Sequence, residues 1–166
     1  MTIGVKLDLG FRTDDSYRRL FGARDVLRHL KSLGVRAVET AVDRDTDFSS
    51  VAGHIRVCTD AGFRVSLHPY SEGTLCNPAR FSESDEHCRQ FHTRVFMAAE
   101  DAAVRQGCKA IVNIHGAADH RDKDRRALLE ESIRFFKWSR EWCTENAPHV
   151  AVVAELQYRP DPDEGI

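Results

Sequence analysis

The chain has 166 residues, 42% of them hydrophobic, and a formal net charge of -2. That is enough apolar material for one domain with a sizeable core, and the near-neutral balance without a long basic run argues against a large nucleic-acid footprint. The N-terminal MTIGVKLDLG has no basic segment leading into a long apolar one, and no stretch approaches about 18 apolar residues. The expectation is a cytoplasmic protein with no membrane partner.

In chain order, Ile3–Leu9 reads as a first strand. Val26, Leu27, Leu30 and Leu33 then recur at helical spacing and lead to a second strand, Ala37–Val42. Val51, Ile55 and Cys58 form the stripe of a second helix, capped by Asp47 or Ser49, before a third strand, Arg64–His68. The connection from Pro69 to Ser82 is long for an α/β unit, and connections of that length tend to carry function. Cys88, Phe91, Val95, Ala98 and Ala102 mark a third helix, Ala110–His115 a fourth strand, Leu129, Ile133, Phe136 and Trp142 a fourth helix, and Val150–Glu155 a fifth strand. A polar, proline-punctuated tail, Arg159 to Ile166, reads as the start of another βα loop.

One device recurs. Gly34, Gly62 and Gly107 each follow a helix and precede a basic residue and a strand, as a left-handed helix end requires. Short apolar strands alternating with amphipathic helices imply βα units on a parallel sheet. The expected fold is therefore α/β, a partial TIM (β/α) barrel of about five parallel strands and four intervening helices. Residues 1–166 are expected to be the N-terminal part of a single barrel domain whose C-terminal units are missing, since a complete one takes about 250 residues in eight units.

In such a sheet every C-terminal strand end lies at one edge, and ligands bind there. The residues at those ends are Lys6 and Asp8, then Glu39, His68, His115 and Glu155. Two imidazoles and a carboxylate suit zinc, or a harder divalent ion if carboxylates join them. Glu155 is the sharpest of the three, because a carboxylate closing the run Val150-Ala-Val-Val-Ala needs a cation or hydrogen-bond donors. Gly116, Ala117 and Ala118 leave room beside His115. Glu39 reads equally as a ligand contact or as the salt-bridge partner of Lys6. His120 and the mixed-sign run Arg121 to Arg126 read as a solvated helix start, and the histidines at 29, 54, 87, 92 and 149 as surface or hydrogen-bonded helix residues. The five cysteines form no CxxC pair and no zinc-finger spacing, so reduced packing roles are expected. No P-loop, GxGxxG, HExxH or GxSxG motif is present.

From Gly4-Val5-Lys6-Leu7-Asp8 through Val38-Glu39 to Ala154-Glu155, this pattern of strand ends resembles the xylose-isomerase-like barrels. That superfamily holds sugar (phosphate) isomerases and epimerases together with the zinc-dependent family 2 apurinic/apyrimidinic endonucleases. The resemblance implies that His68, His115 and Glu155 bind a divalent ion (Zn, Mn or Mg), that Glu155 is also catalytic, and that Lys6, Asp8 and Glu39 contact substrate. It implies isomerisation or epimerisation of a small polyhydroxy carbonyl compound through an enediolate, as an activity of the intact parent barrel rather than of this part alone. The alternatives are endonuclease-like phosphodiester cleavage, with nucleic acid as partner, and a non-catalytic ligand-binding half-barrel. The endonuclease pattern commonly has a proline after the fourth-strand histidine, where this chain has His115-Gly116. An uncovered sheet edge makes a homo-oligomer an expectation as well.

Overall fold

A computed structural model describes residues 3–9, 25–71, 74–83, 85–116 and 125–155. Five parallel strands alternate with four α-helices in the manner of a partial (β/α) barrel: β1 (Ile3–Lys6), α1 (Val26–Ser32), β2 (Val35–Asp43), α2 (Phe48–Asp60), β3 (Arg64–Tyr70), α3 (Asp85–Gln106), β4 (Ala110–His115), α4 (Arg125–Asn146) and β5 (Val150–Glu155). The strands lie side by side in chain order, β1-β2-β3-β4-β5, as short helical crossovers dictate. Among the described residues no helix is long and apolar enough to cross a membrane.

Local chemistry sets the helix ends. Asp47, in extended conformation, accepts hydrogen bonds from the backbone N–H groups of Ser49 and Ser50 and so starts α2, and Asp25 does the same for α1 through Arg28. The three repeated glycines take φ of +84° at Gly34, +81° at Gly62 and +66° at Gly107, the left-handed conformation in which a Cβ would clash. The connection after β3 is not structureless. Pro78–Arg80 forms a 3₁₀ turn whose first N–H groups are capped by Asn77, which accepts from Ala79 N at 2.9 Å.

Successive strand residues point to opposite faces, and the register carries that alternation across the sheet. Val38, Thr40, Val42, Val65, Leu67, Val112 and Ile114 lie on the helix-covered face and are buried. Helix α3 seals much of it with Cys88, Phe91, His92, Val95, Phe96, Ala99, Ala102 and Ala103. The opposite face is more open: Ile111 and Val153 are 47% and 45% exposed.

Several sequence expectations shift. Strand β1 ends at Lys6 rather than Leu9, although Leu7 N still donates to Glu39 O at 2.9 Å. Strand β2 runs to Asp43, which puts Glu39 in its middle rather than at its end, and β3 continues past His68 through Pro69 to Tyr70. Leu33 caps α1 and is 57% exposed. The largest change is in α4, where Leu129 and Ile133 are 52% and 44% exposed while Leu128, Ser132, Phe135, Ser139 and Cys143 are buried. Phe136 and Trp142 stay partly buried against the core, so the buried stripe turns toward the neighbouring residues mainly in the first half of the helix. Phe135 decides the rotation: its ring packs against Phe81 at 5.6 Å, His92 at 4.6 Å and Trp138 at 5.7 Å, and burying such a ring stabilises by about 1.5–3 kcal/mol. The two serines tolerate burial. Ser139 Oγ donates back to Phe135 O at 2.9 Å, so it needs no outside partner. His120, residues 121–124 and the tail from 159 lie outside the described residues, while Arg126 pairs with Glu130 at 3.2 Å on an exposed helix face.

Candidate metal centre

The parallel register pairs Lys6 with Glu39, Ala41 with His68, Leu67 with Val112, and His115 with Glu155. Stepping by two residues along each strand therefore places Lys6, Glu39, His68, Tyr70, Asn113, His115 and Glu155 on the open face. His68 and His115 are buried, at 4% and 5% exposure, and the Glu155 side chain is 39% exposed. The mouth thus has two dry imidazoles and one carboxylate reachable from solvent.

His68 Nε2 and His115 Nε2 are 2.9 Å apart. Glu155 Oε2 lies 3.4 Å from His115 Nε2 and 3.9 Å from His68 Nε2. On the other side of its ring, His68 Nδ1 meets Glu39 Oε1 at 3.1 Å. A carboxylate can only accept, so Nδ1 carries the hydrogen and, in the neutral ring, Nε2 presents its lone pair toward His115 and Glu155. A hydrogen on His115 Nε2 can bridge to that lone pair as an N–H···N bond, and a divalent ion could take its place between the two rings and the carboxylate. Two ligands held about 2.0–2.1 Å from one tetrahedral zinc stand roughly 3.3 Å apart, and the three observed separations bracket that value. The donor set, its spacing and the carboxylate behind His68 all fit a divalent ion.

No protein-family model and no curated protein matches the chain. The assignment of the centre accordingly rests on its geometry. Three of the described side chains, His68, His115 and Glu155, offer ligand atoms within 4.8 Å of one another.

The remaining expected residues divide. Glu39 is committed to His68 rather than to Lys6, whose ammonium donates to the Tyr70 hydroxyl. That bond is the main cause holding the Lys6 pKa above its ordinary value; burial opposes it, and the charges of Tyr70, Asp8 and Glu39 add smaller upward contributions. Asp8 is exposed just beyond β1.

Two residues of the centre were not singled out from the sequence. Asn113 Nδ2 donates to Glu155 Oε2 at 2.7 Å and orients the carboxylate across the β4–β5 pair. Its signal was an amide inside the apolar run Ala110-Ile-Val-Asn-Ile-His115, two residues from His115 and so on the same face. Tyr70 stacks flat on His68, with ring centroids 4.6 Å apart and planes 7° apart, and stands edge-on to His115 at 5.9 Å. Tyr70 falls in the Pro69–Ser82 stretch that the sequence reads as a connection rather than as strand.

The five cysteines form no disulfide among the described residues; Cys58, Cys76, Cys88 and Cys143 are buried, and burial pushes the Cys143 thiol up to about 12 and raises Cys76 and Cys88 also. Thiolates are unfavourable there, in keeping with packing roles.

Proposed function

We propose that the protein is a divalent-metal-dependent isomerase or epimerase acting on a small polyhydroxy carbonyl compound in the cytoplasm. The observation that carries the reading is the convergence of His68, His115 and Glu155 on one point of an open, polar sheet face. A divalent ion held there would supply Lewis-acid polarisation of a carbonyl and its neighbouring hydroxyl, acidifying the C–H of the hydroxyl-bearing carbon. Glu155 would hold the ion from the solvent side, Asn113 fixes Glu155, and Glu39 keeps the His68 lone pair aimed inward. Lys6 and Asp8, two residues apart at the end of β1, would orient substrate oxygens. The proton leaves one carbon and returns to it or to its neighbour, so the site needs positioned polar groups but no external oxidant.

The paired histidines favour a second reading, zinc-dependent phosphodiester cleavage, because nitrogen ligands suit zinc. Against it stands the formal net charge of -2, since duplex binding draws much of its affinity from neutralising phosphates. The deciding assay presents the metal-loaded protein with a panel of ketoses and with a duplex containing one abasic site. Carbonyl turnover without incision is the expected result; incision without carbonyl turnover would reverse the order of the two readings. Ligand affinity without either reaction would leave a binding protein.

A further inference from the structure

Helix α4 carries two apolar stripes. Phe135, Ser139 and Cys143 belong to the buried one, whereas Leu129, Ile133 and Phe136, spaced four and three residues apart, form a second in which Leu129 and Ile133 are exposed. The second stripe lies on the β5 side of the helix. Phe136 continues into Arg140 and Cys143 along one wall of a groove of about 380 Å³, and Val150 and Val152 of β5 line the other. The groove adjoins the outer edge of β5, with which no described strand pairs. A free strand edge and an unpartnered helix stripe thus lie side by side on one flank of the molecule.

We infer that this flank is the interface of a closed two-fold dimer, in which β5 pairs antiparallel with β5 of a second copy and α4 packs antiparallel on its counterpart over the joined sheet. Spacing supports it first. A crossover helix lies over the two strands that it joins, so a two-fold axis at the β5 edge sets the α4 axes about two strand spacings, roughly 9.6 Å, apart, and packed helices stand about 8–10 Å apart. Shape agrees. Reversal of α4 carries the projecting Leu129 toward Phe136 and Arg140 of the second copy, where the groove opens, so each copy supplies both a projection and a recess. Charge fixes the direction. Along the outward side of the helix the exposed row Arg126, Glu130, Lys137, Glu141 alternates in sign. Reversal about a point between Ile133 and Arg134 sets Glu130 of each copy opposite Lys137 of the other, and Arg126 opposite Glu141, whereas a parallel arrangement would set like against like. The strand edge alone would also accept β1 of another copy and grow without end; the helix stripe is complementary to itself and closes the assembly at two.

Sedimentation velocity of the whole chain over a concentration series reads the assembly. The wild type should reach a plateau at twice the monomer mass, with no larger species. Ile133→Glu places a charge at the dimer axis and should raise the dissociation constant at least about tenfold, while the circular dichroism and melt of the monomer stay unchanged because the position is exposed. Glu130→Lys and Lys137→Glu should each weaken the dimer about three- to tenfold, since the two-fold repeats every like-charge contact. The double variant Glu130→Lys with Lys137→Glu should recover the wild-type affinity, which a mere loss of helix stability would not allow. The differences among these variants should shrink as ionic strength rises. A wild type that stays monomeric, as it would if another segment of this chain covered the stripe, would overturn the inference, and so would growth past the dimer without a plateau. A dimer that Ile133→Glu leaves intact, or a double variant no tighter than either single one, would do the same.

Discussion

Glu39 Oε1 sits 3.1 Å from His68 Nδ1, across the ring from the Nε2 that meets His115 at 2.9 Å. One carboxylate on β2 thus sets the tautomer and the aim of an imidazole on β3, and the consequence should be measurable as metal affinity. Glu39→Gln keeps the shape but weakens the acceptor, and zinc affinity should fall about 10–100-fold. Glu155→Ala should lose more, because it removes the one anionic member of the triad. Calorimetric titration of both variants checks this order, and equal metal content in the wild type and Glu155→Ala would contradict the assignment.

Two histidines outside the site tie stability to pH. Burial lowers both His54 and His92 from the ordinary 6.5 to about 4. His92 is fully buried, with Nδ1 2.9 Å from Cys88 O and, among the described residues, no hydrogen-bond partner for Nε2. In the unfolded chain these groups protonate below about pH 6.5, whereas the folded protein resists protonation until about pH 4, so the unfolded state binds more protons between those values. Stability is complete above that window and declines as pH falls through it, by an amount on the order of 3 kcal/mol per residue. His92→Leu should flatten this decline by close to one proton's worth in denaturant melts recorded from pH 7 to pH 4. An unchanged slope would show that His92 titrates normally.

The helix-ending glycines allow conformational strain to be separated from contact. At Gly34 an added Cβ meets nothing within 4 Å, whereas at Gly62 it would stand 3.1 Å from Lys31 Nζ, which donates to Ala61 O at 2.6 Å. Both positions have positive φ, so either alanine should cost about 1–2 kcal/mol. Gly62→Ala should cost slightly more, because the Lys31 ammonium must also shift. Thermal melts of the two variants test the ranking.

Strand β5 hydrogen-bonds to β4 on one side, and among the described residues no strand pairs with its other side. Val153 on that strand and Ile111 beside it are exposed on the open face. Edges of this kind recruit further strands, so the protein should self-associate with rising concentration, and Val153→Lys should weaken the association. Sedimentation velocity over a range of concentrations would reveal it; a monomer throughout, in the wild type, would contradict it.

The alternation of strands with helices was legible in the sequence because each element repeats a period that its own residues carry, and the three glycines mark positions that side chains tolerate poorly. His68, His115 and Glu155 could be singled out for a similar reason: polar residues closing apolar strands stand out locally, and a parallel sheet brings such ends to one edge. Tertiary packing decided the rest. The serines at 132 and 139 mask the buried face of α4, and only the ring cluster around Phe135 shows which way the helix turns. The pairing of Glu39 with His68, of Lys6 with Tyr70 and of Asn113 with Glu155 depends on inter-strand register and on where each strand stops. A one-residue slip in register moves a side chain to the other face, and local composition does not encode that register.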